Sequence, residues 1–445
     1  MGAQKLRPET LEESLIYWSI VGTWGFWLLG LLYVVGSAMS YVLLLVVALR
    51  AFDAPARDEP TLKPPALPAL VWMAGMMVML LALVVAHIDL ELGTAQTIKS
   101  SIGWAKGWAI MGIMPLVGSM LVVRPAIIGR ALGILALHTL LLAPFFFLAN
   151  KVHLPGDLYV SPLYRIFGVS PQFFDVTLYT YDEVTGNARW RFYGPWSTAV
   201  AFYAGIGLVL SIRDRSSNIK VVSILSTIVV CYMAGSRLSL VAVPAILLAI
   251  PFMSNLLRPA VWLAAAVVAT IGILFWQDAF MAYQDATDAF NAARAASSRV
   301  RAALGNIAYH RWETGEFLFG NGVLQRGGHV VETMMIGSHH TWWGLLFVKG
   351  LVGFVALAVP MAVSFFDLLL KSQTSRVARA ALAVLLSLLF FSLADNLEIV
   401  AYLIWPGLLY LGIAHGQRLH NPLAPRLGAA RHYANAAGLQ ARPAH

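Results

Sequence analysis

Charge is scarce in this chain. Asp, Glu, Lys and Arg make up 12% of its 445 residues, against about a quarter in an average water-soluble domain. With 59% hydrophobic residues and a mean hydropathy of +0.72, that shortfall excludes an ordinary soluble globule. Also missing are segments of about ten residues with alternating polarity, the mark of a transmembrane barrel. A single cysteine, Cys231, rules out any intramolecular disulfide. There is no internal repeat. No cleavable signal peptide is expected, because the N-terminal stretch is polar (Lys5, Arg7, Glu9, Glu12, Glu13) and lacks a small-residue cleavage site.

What remains is a series of apolar runs of roughly 20 residues, each able to satisfy its own backbone as a helix in lipid. They fall at 15–33, 35–50, 67–87, 104–123, 128–149, 195–212, 219–235, 239–256, 259–276, 342–369, 379–399 and 400–416. The first two run together around Gly36-Ser37. The chain is therefore predicted to be an all-α polytopic membrane protein with about 12 transmembrane helices. With the N-terminus inside, the C-terminus is inside too. Lys and Arg then gather on the inner side, as at Arg50/Arg57/Lys63, Arg124/Arg130, Arg213/Arg215/Lys220 and Lys371/Arg376/Arg379, all beside span ends. Topology thus accounts for the net charge of +9, and no nucleic-acid partner is expected. The expected partition is N-terminal spans over 1–149, a first large outer loop at 150–194, central spans over 195–276, a second large outer loop at 277–341, C-terminal spans over 342–416 and a disordered inner tail at 417–445. The second loop opens with apolar residues at helical spacing (Phe280, Tyr283, Phe290, Val300, Leu304, Ile307), which predicts an amphipathic helix along the membrane surface.

The outer side carries arginines beside aromatic and apolar sequence: Arg165, Arg189 and Arg191 in the first loop, Arg237 in a tight hairpin, and Arg294, Arg299, Arg301, Arg311 and Arg326 in the second. A guanidinium stays charged and grips phosphate oxygens bidentately, so such a cluster suits a diphosphate-bearing ligand. Pairing with local acids (Asp285, Asp288, Glu313, Glu316) or with lipid headgroups is the plainer alternative. The second loop ends in Gly337-Ser338-His339-His340-Thr341-Trp342-Trp343, directly before a span. A histidine there, with like charge nearby, would be neutral near pH 7 and able to act as a general base. No carboxylates stand at ligand spacing from His339, which argues against a metal-dependent hydrolase. The first loop's aromatics, Tyr159 to Trp196, suit an interfacial belt or a loop core as well as sugar stacking. Asp395 and Glu398, between the last two spans, could orient an acceptor or be solvated.

These motifs together resemble the O-antigen ligase and Wzy-type polymerase superfamily of membrane glycosyltransferases. Ten residues separate His339 from Gly350, with Gly353 after it. Upstream stand Ser298-Arg299-Val300-Arg301 and Phe317-Leu318-Phe319-Gly320-Asn321-Gly322, similar to the family's arginine segment and Gly-x-Gly turn. Ala234-Gly235-Ser236-Arg237 resembles its small-Ser-Arg hairpin, and fifteen residues separate Arg189 from Gly205 and Arg191 from Gly207. The similarity covers residues 185–360. It departs at His340-Thr341, where many members, the ligases especially, carry Asn.

The resemblance implies a GT-C type fold with a periplasmic site in a bacterial inner membrane, and metal-independent, inverting transfer of a glycan from an undecaprenyl-diphosphate carrier, without a cofactor. His339 would activate the acceptor hydroxyl, with His340 as the other candidate. Arg191 and one of Arg299 or Arg301 would hold the diphosphate, supported by Arg237, with Arg189 and Arg311 as secondary candidates. The enzyme would join lipid-linked repeat units of an exopolysaccharide, capsule or O-antigen, or as a ligase move finished glycan to lipid A-core, and less readily to a protein. A chain-length regulator is the partner such a polymerase would imply. A transporter of lipid-linked anions would also use arginines, but would be expected to show repeats and polar residues at mid-membrane depth.

Overall fold

The structure is a computed structural model that describes residues 6–53, 62–168, 170–182, 186–292, 295–331, 334–338 and 340–418. His339, Arg294 and the tail from 419 lie outside the described residues, and so do the expectations placed on them.

The chain is mostly helical. In order, α1 (Leu11–Val21), α2 (Thr23–Leu28), α3 (Leu32–Asp53), α4 (Leu67–Asp89), α5 (Thr94–Lys106), α6 (Trp108–Met120) and α7 (Pro125–Lys151) lead into the first loop. There β1 (Asp157–Val160) pairs antiparallel with β2 (Asp175–Thr177), the short α8 (Leu163–Phe167) between them, and β3 (Thr180–Tyr181) with β4 (Ala188–Arg189). Next come α9 (Ser197–Ser211), α10 (Ser217–Met233), α11 (Arg237–Met253) and α12 (Pro259–Leu274). The second loop holds α13 (Trp276–Ala292), α14 (Ala295–Thr314) and a ribbon of β5 (Gln325–Arg326) with β6 (Met335–Ile336). The chain then returns through α15 (Thr341–Ser372), α16 (Arg376–Ser392) and α17 (Leu397–His415).

Every apolar run corresponds to a helix or a broken helix pair. Five of them, α3, α4, α7, α15 and α17, are long and apolar enough to cross a bilayer unaided, and the pair α12 and α13, bent by 78°, is a sixth candidate. The protein is thus a helical membrane protein. The remaining runs fold as shorter or interrupted helices.

Several boundaries differ from expectation for identifiable reasons. The first break falls at Leu29–Leu31, not at Gly36-Ser37. Gly36 lies inside α3, where a Cβ would stand 2.0 Å from the Tyr402 carbonyl oxygen of α17. It therefore serves close helix packing, as small residues do in membrane interiors. The run at 104–123 is interrupted at Gly107, and α5 precedes it as a separate short helix. The last two spans part at Leu393–Asn396, because the Asn396 side chain caps Glu398 N at 3.0 Å and starts α17 there.

α17 is the hub. It packs along α6 and also touches α3, α9 and α16, and 89% of its apolar window is buried. Gly118 and Gly412 let α6 and α17 approach to backbone contact. In the first loop Phe174, Trp190, Phe192 and Tyr193 are buried, so these aromatics form a loop core, while Tyr159 and Tyr181 stay exposed. The expected surface helix is two helices. α14 buries Val300, Leu304 and Ala308 against Val331, Ile336 and Phe347, so protein, not lipid, covers that stripe.

Candidate functional site

α15 is two half-helices joined at Gly350, whose φ of 63° and ψ of −164° belong to a region that essentially only glycine enters. Breaking a helix strands backbone groups that lipid cannot satisfy. The segment 317–322 satisfies them. Asn321 N and Gly322 N donate to the carbonyls of Phe347 and Val348 at 2.8 and 2.9 Å, while Leu351 N and Val352 N donate to those of Phe317 and Leu318 at 3.0 and 3.1 Å. Contact is backbone to backbone: a Cβ on Gly350 would meet Leu318 at 2.3 Å, and one on Gly320 would meet Gly350 N at 2.5 Å. The interval from His339 to Gly350 is therefore one half-helix, residues 341–349, about 13 Å long at 1.5 Å per residue.

His340 caps this half-helix. Its Nδ1 accepts from Trp342 N and Trp343 N at 3.2 and 3.3 Å. Amides only donate, so Nδ1 carries no proton and the neutral ring is protonated at Nε2. Burial pushes its pKa down to about 4, which keeps that form at neutral pH. The basic nitrogen is thus already engaged, so His340 cannot act as a base there without releasing the cap.

Thr341 braces two helix starts. Its hydroxyl donates to the Asp395 carbonyl at 2.7 Å and accepts from Leu397 N at 3.1 Å. Asp395 is buried, not solvated: its carboxylate accepts from Trp196 Nε1 at 2.8 Å and Thr198 Oγ1 at 3.2 Å. Burial raises its pKa. Arg301 on α14 reaches the same corner, donating to the Ala394 carbonyl at 3.1 Å.

Arg301 and His340 line one cavity of about 200 Å³, with Gly305, Trp343 and Leu393. Gly337 and Gly344 belong to its wall and to that of a larger, open cavity of about 620 Å³, lined from α3, α4, α5, α6, α15, α17 and both loops. Arg299 does not line either cavity. Two residues from Arg301 on a helix, it points about 200° away from it.

The other arginines are spread out. Arg191 is buried, paired with Asp175 and bonded to Thr177, and it donates to the Pro195 carbonyl at 3.0 Å. Burial raises the Asp175 pKa, with Arg191 opposing that rise. Arg189 pairs with Asp182 at 3.0 Å and donates to Gly235 O at 3.3 Å, tying the first loop to the α10–α11 hairpin. Arg237 opens α11, half-buried. Arg311 donates to Gln325 at 2.6 Å and is exposed. None of these four lines the two cavities.

The cations on the larger cavity are lysines: Lys99 and Lys106 from α5 and Lys349 from α15, with Glu398 opposite. Sequence reasoning passed over Lys349. Its position inside the run at 342–369 was the available signal, since an ionisable residue within a membrane helix is by default a functional candidate. Among the described residues no group of three or more His, Cys, Asp or Glu is placed to hold a metal ion. No protein-family model matches the chain, and no curated protein matches it in sequence.

Proposed function

We propose that this protein is a membrane glycosyltransferase that moves a glycan from an undecaprenyl-diphosphate carrier to an acceptor hydroxyl on the periplasmic face of a bacterial inner membrane. The preferred reaction joins lipid-linked repeat units of an exopolysaccharide or O-antigen. In this reading all twelve apolar runs cross the bilayer, both termini are cytoplasmic, and the shorter helices cross where the bilayer thins around them. The helix arrangement is of the GT-C type.

The observation that supports the reading is that Arg301 and His340, at the start of α15, line one cavity that shares Gly337 and Gly344 with the wall of a larger cationic one. His339 is the base. His340 holds the helix start, its Nδ1 committed to the cap. His339 takes the acceptor proton as the hydroxyl oxygen attacks the anomeric carbon from the side opposite the diphosphate. The sugar–oxygen bond to the carrier breaks, the configuration inverts, and negative charge grows on the departing diphosphate. Fixed guanidinium charge, Arg301 first, stabilises that charge without a metal. Arg191, Arg189 and Arg237 support the loops around the site.

The test is complementation of a deletion strain with His339→Ala, read as the size distribution of surface polysaccharide. Loss of long chains with single repeat units still delivered supports a polymerase. Loss of all glycan from lipid A-core, with lipid-linked polymer accumulating, makes the same chemistry a ligase. A wild-type profile overturns the role of His339.

A further inference from the structure

We propose that the 620 Å³ cavity is a binding site for a phosphoryl group, held by Lys349 with Lys106 and Lys99. The site lies at the far end of the half-helix from His340, apart from the transfer step assigned to Arg301 above, and does not depend on that function.

Lys349 is the strongest element. The residue is 5% exposed, its ammonium opens to the cavity, and no hydrogen bond or ion pair holds it among the described residues. An ammonium so largely removed from water is costly unless something in the cavity answers its charge. The fold makes room for this arrangement. Gly353, one turn on, has no Cβ, and one placed there would stand 2.3 Å from Lys349 Cβ and 3.5 Å from its Cγ and Cδ. The break at Gly350 ends the half-helix directly after Lys349, beside the cavity.

The charge count points to a dianion. Glu398 faces the same cavity without an ion pair to Lys349. Whether Lys349 and Glu398 are both charged or both neutral, the four groups sum to +2. Lys106 is anchored, donating to the Phe167 carbonyl at 2.6 Å with its ammonium 5.7 Å from the Phe167 ring centre. An ammonium has three N–H donors, so two remain for a ligand. The Trp108 indole N–H is buried in the same wall, beside the Glu398 carboxylate. A phosphate monoester or diphosphate matches this set in charge and in acceptor oxygens.

A separate apolar groove of about 440 Å³ lies along α4 and α15, lined by Val71, Gly75, Val78, Leu351, Val352 and Val355. A phosphoryl group at Lys349 carrying a hydrocarbon tail would match the cavity in charge and the groove, which begins two residues on at Leu351, in polarity. The lipid-borne source is therefore preferred over a free anion.

Binding to the full-length protein in nanodiscs tests the site, using inorganic pyrophosphate and farnesyl diphosphate as probes, with no transfer reaction required. Lys349→Met, which keeps the apolar stem and removes the charge, is expected to weaken both by at least tenfold, about 1.4 kcal/mol. Lys99→Gln, at an exposed position that cannot threaten folding, is expected to weaken both by several-fold. Lys151→Met, outside the cavity, is expected to change neither. Farnesyl diphosphate binding at least tenfold tighter than pyrophosphate supports the lipid source; equal affinities support a free-anion site. Absence of binding, or affinities that neither Lys349→Met nor Lys99→Gln alters, overturns the inference. Binding that persists in a protein whose His339→Ala variant polymerises normally would keep the site and sink the glycosyltransferase reading.

Discussion

Substituting Gly350 by Ala perturbs the one place where the fold depends on a backbone conformation closed to other residues. An L-residue held at φ 63° and ψ −164° costs about 1–3 kcal/mol in strain alone. The new Cβ also lands 2.3 Å from Leu318 C and O, so the segment 317–322 must move. Moving it releases four backbone hydrogen bonds across the break, each contributing about 1 kcal/mol net. The sum is roughly 5 kcal/mol, less whatever relaxation recovers. The assay is amide hydrogen exchange by mass spectrometry on the purified protein. At about 1.4 kcal/mol per factor of ten, exchange at Leu351 and Val352 should accelerate by at least a hundredfold, while the α6–α17 core keeps its protection. Wild-type protection at Leu351 and Val352 in a folded Gly350→Ala protein would refute the claim that this glycine and segment 317–322 hold the break together.

Other outcomes follow from the same structure. Arg191→Ala should cut folded yield sharply, since it strands buried Asp175 at a cost of about 3–5 kcal/mol. Arg191→Ala with Asp175→Ala should recover much of that yield, and a double variant no better than the single would argue against the pair as a structural unit. His340→Asn should keep the cap and retain function, whereas His340→Ala should lose about 0.5–2 kcal/mol of thermal stability; loss of transfer in a well-folded His340→Asn would make His340 more than a cap. Stability should also fall on acidification. Because the folded protein resists protonating His340 down to about 4 while the unfolded chain binds a proton near 6.5, stability is full above 6.5 and declines as pH drops through 4. The ceiling is about 3 kcal/mol before solvent screening reduces it. Denaturation midpoints of wild type and His340→Asn should be closest near pH 7 and diverge toward pH 4, with wild type falling faster, and parallel curves would count against the assignment.

Apolar length carried most of the fold. Each run in the sequence became a helix or a broken pair, because lipid leaves the backbone no other way to satisfy itself. Breaks inside runs were harder to read. Gly36 and Gly350 look alike in sequence, yet one permits contact with Tyr402 and the other takes a positive φ, a distinction set by tertiary neighbours. The interval from His339 to Gly350 was visible as spacing alone. Its meaning as a capped half-helix needed the partner segment 317–322. The arginines drew attention through their chemistry, but composition could not say that Arg191 would spend its charge on Asp175. Lys349 was hidden for the opposite reason: one cation in an apolar run reads as an exception until the cavity beside it is seen.

The central claim is glycan transfer at the His339 site, and reconstitution tests it most directly. Purified protein in proteoliposomes would be given a radiolabelled undecaprenyl-diphosphate-linked repeat unit in the presence of a chelator, and products separated by size. The account predicts longer lipid-linked chains from wild type, with undecaprenyl diphosphate released, and at least a hundredfold loss in His339→Ala. Wild-type protein that moves the lipid across the bilayer without lengthening the glycan, or a His339→Ala variant that extends chains at the wild-type rate, would contradict it.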